Sequence, residues 1–455
     1  MTITLVRGGH VLTMGPAGDL RDGAVAIEDD TIVAVGPWAE MRAARPDADV
    51  VGDEHGLVIP GLVNAHTHLS EALIPGMGET LSLFDWAPAV IVPASLQLDR
   101  EMARVGAVLK GIELLSSGVT CVNDMFGHMN LGSDVSLGSV DGLAQIGLRG
   151  VVSFGAADSP TGDVSLEVGQ IVDEHRALAE HCASTGRIGF RVGLATMLVA
   201  TDELLTATVS VAAELGAGVH THLAEVREEV VDARLRWGVS AVRRAGDIGL
   251  LDHDVVAGHV IWVGGDEYDL LADKQVRAIY NPVANMILAD GVCPVVEMQR
   301  ADIIVAIGTD GAASNDSQDM LAALKTGALL LKVSKMDPAW FTARDVVRMG
   351  TIDGARSLGL ADQIGSLEPG KQADVVHLAG DRPGLANVHD PYAQLVYCAG
   401  PTDVADVWVA GQRLLADRVH TTVDVAEVIA RSRELATKLA PGLPMSHLLD
   451  DAPPA

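Results

Sequence analysis

The sequence predicts an α/β protein: a (β/α)8, or TIM, barrel carrying a small β-sandwich domain assembled from both ends of the chain. Three observations lead there. Between residues 58 and 365, eight apolar, β-rich runs alternate with helix-patterned stretches, the order expected of a closed parallel barrel. Residues 1–57 and 366–423 share a different texture, short strands broken by Gly, Asp and Pro. Histidines and acids able to hold a metal fall at the ends of the barrel runs.

The N-terminal strands are read at 3–9, 11–14, 23–30 and 31–36, and their C-terminal partners at 373–378 and 404–412. The barrel runs are 62–68, 119–124, 150–154, 188–194, 218–223, 255–259, 276–281 and 303–310. Helical patterns at 100–117, 201–215, 225–245 and 265–273 lie between them. Residues 337–358 read as a helical segment closing the barrel, and 365–374 as a turn-rich return to the β module. Residues 424–455 form a third unit, an amphipathic helix at 425–439 followed by a Pro-rich tail lying on the surface.

Composition narrows the function classes. A chain of 455 residues with 48% hydrophobic side chains and 48 glycines suits a compact α/β enzyme, not a disordered protein. A net charge of −29 opposes binding to nucleic acid or an anionic membrane, so the expected partner is a small molecule. Cys121, Cys182, Cys293 and Cys398 are far apart and form no Cys-x-x-Cys pair, which argues against a disulfide framework and a thiolate zinc site. No basic leader with an apolar core and no run of membrane-spanning length is read, so a soluble, cytoplasmic protein is expected.

The chemistry gathers at run ends. Val58-Ile-Pro-Gly-Leu-Val-Asn-Ala-His-Thr-His68 ends in two histidines two residues apart, which a strand turns to one face. The fifth run ends in His220-Thr-His222-Leu-Ala-Glu225, the sixth in Gly258-His259, the eighth in Gly308-Thr-Asp310. Each alone has a plainer reading: a packed core histidine for His222 or His259, a helix N-cap for Asp310. In a barrel all converge on one rim. There His66, His68, His222 and Asp310 suit Zn²⁺, with Fe²⁺ as the second choice, and leave a position for water. His220 is expected deeper in the barrel, packing behind these groups. No lysine occurs between Lys110 and Lys274, so the fourth run has none to bridge two metals, and one ion per chain is expected.

Taken together, Pro60-Gly-Leu-Val-Asn-Ala-His-Thr-His, His220-Thr-His-Leu-Ala-Glu, Gly258-His and Gly308-Thr-Asp resemble the metal-dependent amidohydrolase superfamily. The whole chain is similar to its mononuclear aminohydrolase branch, which holds deaminases of adenosine-type nucleosides, guanine and related heterocycles, and chlorohydrolases of s-triazines. The stretch 349–374 is similar to the triazine-hydrolase and ethylammeline-chlorohydrolase type. The resemblance implies attack of metal-bound hydroxide on a ring C=N carbon of an amino-substituted purine, pterin, pyrimidine or triazine. Glu225 would move a proton to a ring nitrogen, Asp310 would take one from the water, and His259 would hydrogen-bond the attacking oxygen. Hydrolytic dechlorination or dealkylamination of a triazine-like ring is the alternative, and cyclic-amide hydrolysis a third. A homodimer or homotetramer is the branch-level expectation. Three departures from the branch, at Gly76-Met77, Ala195 and Tyr280, point to a more apolar pocket and away from a ribose or carboxylate. Trp86 is placed to stack on a flat ring, and Asn123, His128, Met197, Tyr280, Asn285 and Ser314 are further candidates to touch substrate.

Overall fold

The computed structural model describes residues 3–159, 165–440 and 443. Eight parallel strands close a barrel, each starting from one of the apolar runs. They are Leu62–His68, Val119–Phe126, Arg149–Phe154, the pair Ile188–Phe190 and Val192–Thr196, Val219–Leu223, Val255–His259, Arg277–Tyr280, and the pair Val305–Ile307 and Asp310–Gly311. Two of the eight are broken in the middle. The ring closes where Asp310 pairs with Thr67 and Gly311 with His68, so the last strand meets the first at the residues of interest.

The barrel interior is filled by Val63, Ala65, Cys121, Val151, Val256, Ile279 and Ala306, all fully or nearly buried. Such β-branched and small residues fill the layers of a packed barrel. Ala355, Leu358 and Ile364 join this cluster. The expected helix over 337–358 is two, Ala343–Met349 and Ile352–Ser357, because Gly350-Thr351 interrupts the backbone pattern. The expected helix over 225–245 is likewise split into Arg227–Trp237 and Ala241–Asp247: Gly238 takes φ +72° and Ser240 caps the second piece through the Arg243 amide.

The two chain ends form one sheet of nine strands. Its central strand Leu57–Pro60 pairs with Thr4–Val11 in parallel on one side and with Val375–Leu378 in antiparallel on the other. The expected sandwich is this single sheet bent on itself, since Val25, Ile27 and Ile32 from one arm share a core with Val375 and Trp408 from the other. Leu57–Pro60 runs directly into the first barrel strand, so the β domain fixes where that strand begins. The helix Val425–Leu439 packs along Arg100–Ser116, where Arg431 meets Glu101 at 2.6 Å. The Pro-rich tail expected beyond it lies outside the described residues, apart from a buried Leu443. No helix among the described residues is long and apolar enough to cross a membrane.

Candidate metal centre and active site

Strand period sets the floor of the site. His66 and His68 project from alternate positions of the first strand, His220 and His222 from those of the fifth. Their inner ring nitrogens are all engaged. His68 Nδ1 donates to the Met125 carbonyl at 2.7 Å and His222 Nδ1 to the Ala195 carbonyl. His66 Nδ1 shares a 2.8 Å hydrogen bond with His220 Nε2, and His220 Nδ1 reaches Ser153 Oγ at 3.0 Å. His220 thus stands behind His66, as expected. The outer nitrogens are left turned to one point. His68 Nε2 and His222 Nε2 are 3.0 Å apart, and Asp310 Oδ1 is 3.4 Å from His66 Nε2 and 3.3 Å from His68 Nε2.

Ligand atoms of His66, His222, His259 and Asp310 lie within 4.8 Å of one another, with His68 against the same group. Nε2 of His66 is buried without a hydrogen-bond partner. Buried polar atoms seldom stay unpaired, and a knot of imidazoles around a carboxylate is the donor set of a divalent cation. The residues present therefore fit the expected ion. Gly258 lies close against the site: a Cβ on it would stand 3.3 Å from His222 Cδ2 and 3.4 Å from His66 Nε2.

The eighth and first strands are locked together below the site. Asn64 Nδ2 donates to Thr309 Oγ1 at 2.7 Å, the Thr309 amide returns a 3.0 Å bond to Asn64 Oδ1, and Gln318 Nε2 donates to the Asp310 carbonyl at 2.9 Å. This holds Asp310 at φ +67°, while His259 sits at φ +69°. Non-glycine residues take that left-handed conformation only where their surroundings impose it, and functional sites are where it concentrates.

Glu225 completes the centre. Its Oε1 lies 3.4 Å from His259 Nε2, and Asp310 Oδ2 lies 3.5 Å from the same nitrogen. Burial pushes the Glu225 carboxyl well above the usual range, and the charges of Asp290, Asp310 and Glu229 push the same way. Burial also opposes the charge on Asp310, but His259 and hydrogen bonds from His66 and His68 outweigh it and hold that carboxyl well below its usual range.

Above the centre opens a cleft of about 470 Å³. One wall is the segment 83–95, three short helical pieces inserted after the first strand, which presents Leu83, Phe84, Trp86, Ile91 and Val92. Leu198 and Val199 face it. No lysine or arginine is among the described residues lining the cleft.

Of the candidates for touching substrate, Trp86, His128 and Ser314 line this cleft. Trp86 is pinned by its indole N–H to the Met77 carbonyl at 2.8 Å, and His128 Nε2 donates to Glu174 Oε1 at 3.1 Å. Asn123, Met197, Tyr280 and Asn285 do not line it. Asn123 faces into the barrel and donates to the Ala65 carbonyl at 2.9 Å. Tyr280 is wholly buried, with its hydroxyl toward the Gly327 carbonyl, and Asn285 lies behind His259. Met197 is 1% exposed, its carbonyl taking a hydrogen bond from Arg236. These residues are close to run ends, but the strand face or the following turn points them away from the opening.

Glu71 was not foreseen. It is buried on the cleft edge, accepts from the Ala313 amide at 2.9 Å, and burial raises its carboxyl to about 7. The signal was in the sequence: Glu71 stands three residues after His68 as Glu225 stands three after His222.

The amidohydrolase-family model matches residues 57–414, the whole barrel and most of the C-terminal arm. The chain belongs to the amidohydrolase family. A short N-terminal match over residues 23–48 is to an imidazolonepropionase-like composite domain of bacteria. The amidohydrolase chain is 39% identical over 412 residues to a 5-methylthioadenosine/S-adenosylhomocysteine deaminase of Moorella thermoacetica, covering 90% of this chain and 93% of that one. It is 33% identical to a 5'-deoxyadenosine deaminase of Methanopyrus kandleri, over 95% of this chain and 98% of that one. Among solved structures it is similar to an adenosine deaminase of Xanthomonas campestris with bound zinc, at TM-score 0.89 and 32% identity, covering 96% and 98% of the two chains. The atrazine chlorohydrolase TrzN of Arthrobacter aurescens shares the fold, at TM-score 0.87 and 24% identity over 95% and 100%. This amidohydrolase is a hydrolase acting on carbon–nitrogen bonds other than peptide bonds.

Proposed function

We propose that the enzyme hydrolytically deaminates an amino-substituted N-heterocycle, with His66, His68, His222 and Asp310 holding one divalent ion. The observation that carries this reading is the placement of Glu225 and Asp310 on either side of His259 Nε2, at 3.4 and 3.5 Å, on the floor of one cleft. When bound, the ion supplies a water acidified to near neutral pKa. Asp310, whose Oδ2 faces His259 Nε2, would take the proton given up by that water. Glu225 would give a proton to the ring nitrogen beside the amino-bearing carbon, making that carbon electrophilic; the proton held by Asp310 would then pass to the amino group, which leaves as ammonia, while Glu225 regains a proton from the added hydroxyl. His259 would hydrogen-bond the attacking oxygen. The apolar wall of 83–92 receives the flat ring and excludes water.

For the ring itself we place an adenine bearing an uncharged, apolar 5' substituent first. The relatives named for methylthioadenosine/S-adenosylhomocysteine and for deoxyadenosine support the adenine, and a wall of Leu83, Phe84, Trp86 and Ile91 with no cation to meet a carboxylate favours the uncharged substituent. The sequence had argued away from ribose, from Ala195 and Tyr280 among others. Tyr280 is outside the cleft and its side chain does not bear on a ribose, whereas Ala195 lines the cleft and also gives its carbonyl to His222.

Ammonia release across aminated purines, nucleosides, pterins, pyrimidines and triazines tests the reading, with chloride followed from chlorinated triazines. Ammonia from at least one aminated ring is expected. Chloride release without ammonia from any of them would overturn it. Glu225→Gln should cost roughly 10²–10⁴-fold in kcat while keeping its metal.

A further inference from the structure

The four imidazoles at the centre divide by what their inner nitrogens face. His68 and His222 present Nδ1 to backbone carbonyls, and His66 to His220, which is itself anchored to Ser153. A carbonyl only accepts, so Nδ1 of His68 and of His222 carries the ring proton and Nε2 keeps a lone pair for a metal. His259 is the opposite case. Its Nδ1 lies 2.7 Å from Asn285 Nδ2, and that same amide nitrogen lies 3.3 Å from Asp290 Oδ2. Turning the amide over would set Asn285 Oδ1 against the Asp290 carboxyl and lose that contact, so the carboxyl selects the amide orientation. An NH2 group directed at His259 Nδ1 makes that nitrogen the acceptor. The ring proton then sits on Nε2, between Glu225 Oε1 and Asp310 Oδ2.

We infer that Asn285, oriented by Asp290, is a positioning residue that fixes His259 as a hydrogen-bond donor and so keeps it out of the metal's coordination. A nitrogen carrying a proton has no lone pair to give an ion, although His259 lies within ligand distance of the group. The inference rests on the reading of this centre given above, but its first test does not need turnover. In zinc-loaded enzyme with ¹⁵N-labelled histidine, the His259 signals, assigned by their loss in His259→Gln, should show a protonated Nε2 and a bare Nδ1. Signals of the opposite tautomer would overturn the inference whatever the substrate proves to be. On the substrate found by the ammonia screen, Asn285→Leu should lower kcat by about 10–100-fold, as loss of such outer partners does. KM should stay within about 3-fold, and the Nε2 proton should no longer be held at one site. Unchanged kcat with an unchanged His259 tautomer in Asn285→Leu would overturn it. Asp290→Asn, which keeps the shape but frees the amide to turn, should give a smaller loss in the same direction. If Asn285→Leu fails to fold, the wild-type spectrum and Asp290→Asn still decide.

Discussion

His175 offers a quantitative check on the layer behind the cleft. It is 1% exposed, both ring nitrogens lack hydrogen-bond partners, and Phe154 and Phe190 lie against it at 5.4 and 6.4 Å between ring centroids. Burial lowers its pKa to about 4, and the neighbouring Glu174 offsets only part of that. In the unfolded chain the value is about 6.5. Between those two values the unfolded chain binds a proton that the folded chain refuses, so stability is complete above pH 6.5 and falls as pH drops toward 4. The whole gap corresponds to ~3 kcal/mol, of which ~2 kcal/mol is lost by pH 5. His175→Leu removes the titrating group and two unpaired polar atoms from an apolar setting. At pH 7.5 the variant should be at least as stable as wild type. Urea unfolding of both proteins at pH 7.5 and pH 5 measures the difference: wild type should lose ~2 kcal/mol more than the variant over that interval. Parallel pH dependences would refute the burial of a neutral imidazole at this position.

Other outcomes follow from the same geometry. Gly258→Ala would set a methyl 3.3 Å from His222 Cδ2 and 3.4 Å from His66 Nε2, so zinc affinity in a chelator competition should fall by less than the roughly 10-fold that loss of an outer hydrogen-bond partner costs, while the circular dichroism spectrum is kept. Stripping the ion should abolish activity and lower the Tm, both restored by one equivalent of zinc or iron; an ion present at 100 times its Kd contributes ~2.7 kcal/mol. Phe84→Arg places a cation on a wall that has none, and should raise the kcat/KM ratio of carboxylate-bearing to neutral substrates by about 10-fold or more.

The barrel was legible because its strands, buried on both faces, are continuous apolar runs, and because four of the eight end in residues whose chemistry stands out, as with His66-Thr-His68 and Gly308-Thr-Asp310. The conformations at the ends were not. Nothing in Gly258-His259 announces a left-handed histidine, which depends on neighbours far away in sequence. Nor did spacing tell cleft from core: Asn285 and Tyr280 come just after or at the end of the seventh strand, yet one backs His259 and the other packs toward Gly327. The long apolar wall was half seen. Trp86 stood out as an aromatic, whereas Ile91 and Val92 in a stretch of Pro and Ala gave no period to read.

The central position of Leu57–Pro60 bears on how the enzyme is made. That strand leaves the ribosome early, but its antiparallel neighbour Val375–Leu378 emerges more than three hundred residues later. Asp310, which closes the ring against Thr67, also comes late. A nascent chain therefore holds an apolar strand with an open hydrogen-bonding edge through most of its synthesis, a state that invites pairing with other chains. Fragments ending before residue 375 should aggregate rather than yield a smaller working enzyme, and a chaperone able to shield that early strand would raise the yield of the full-length one.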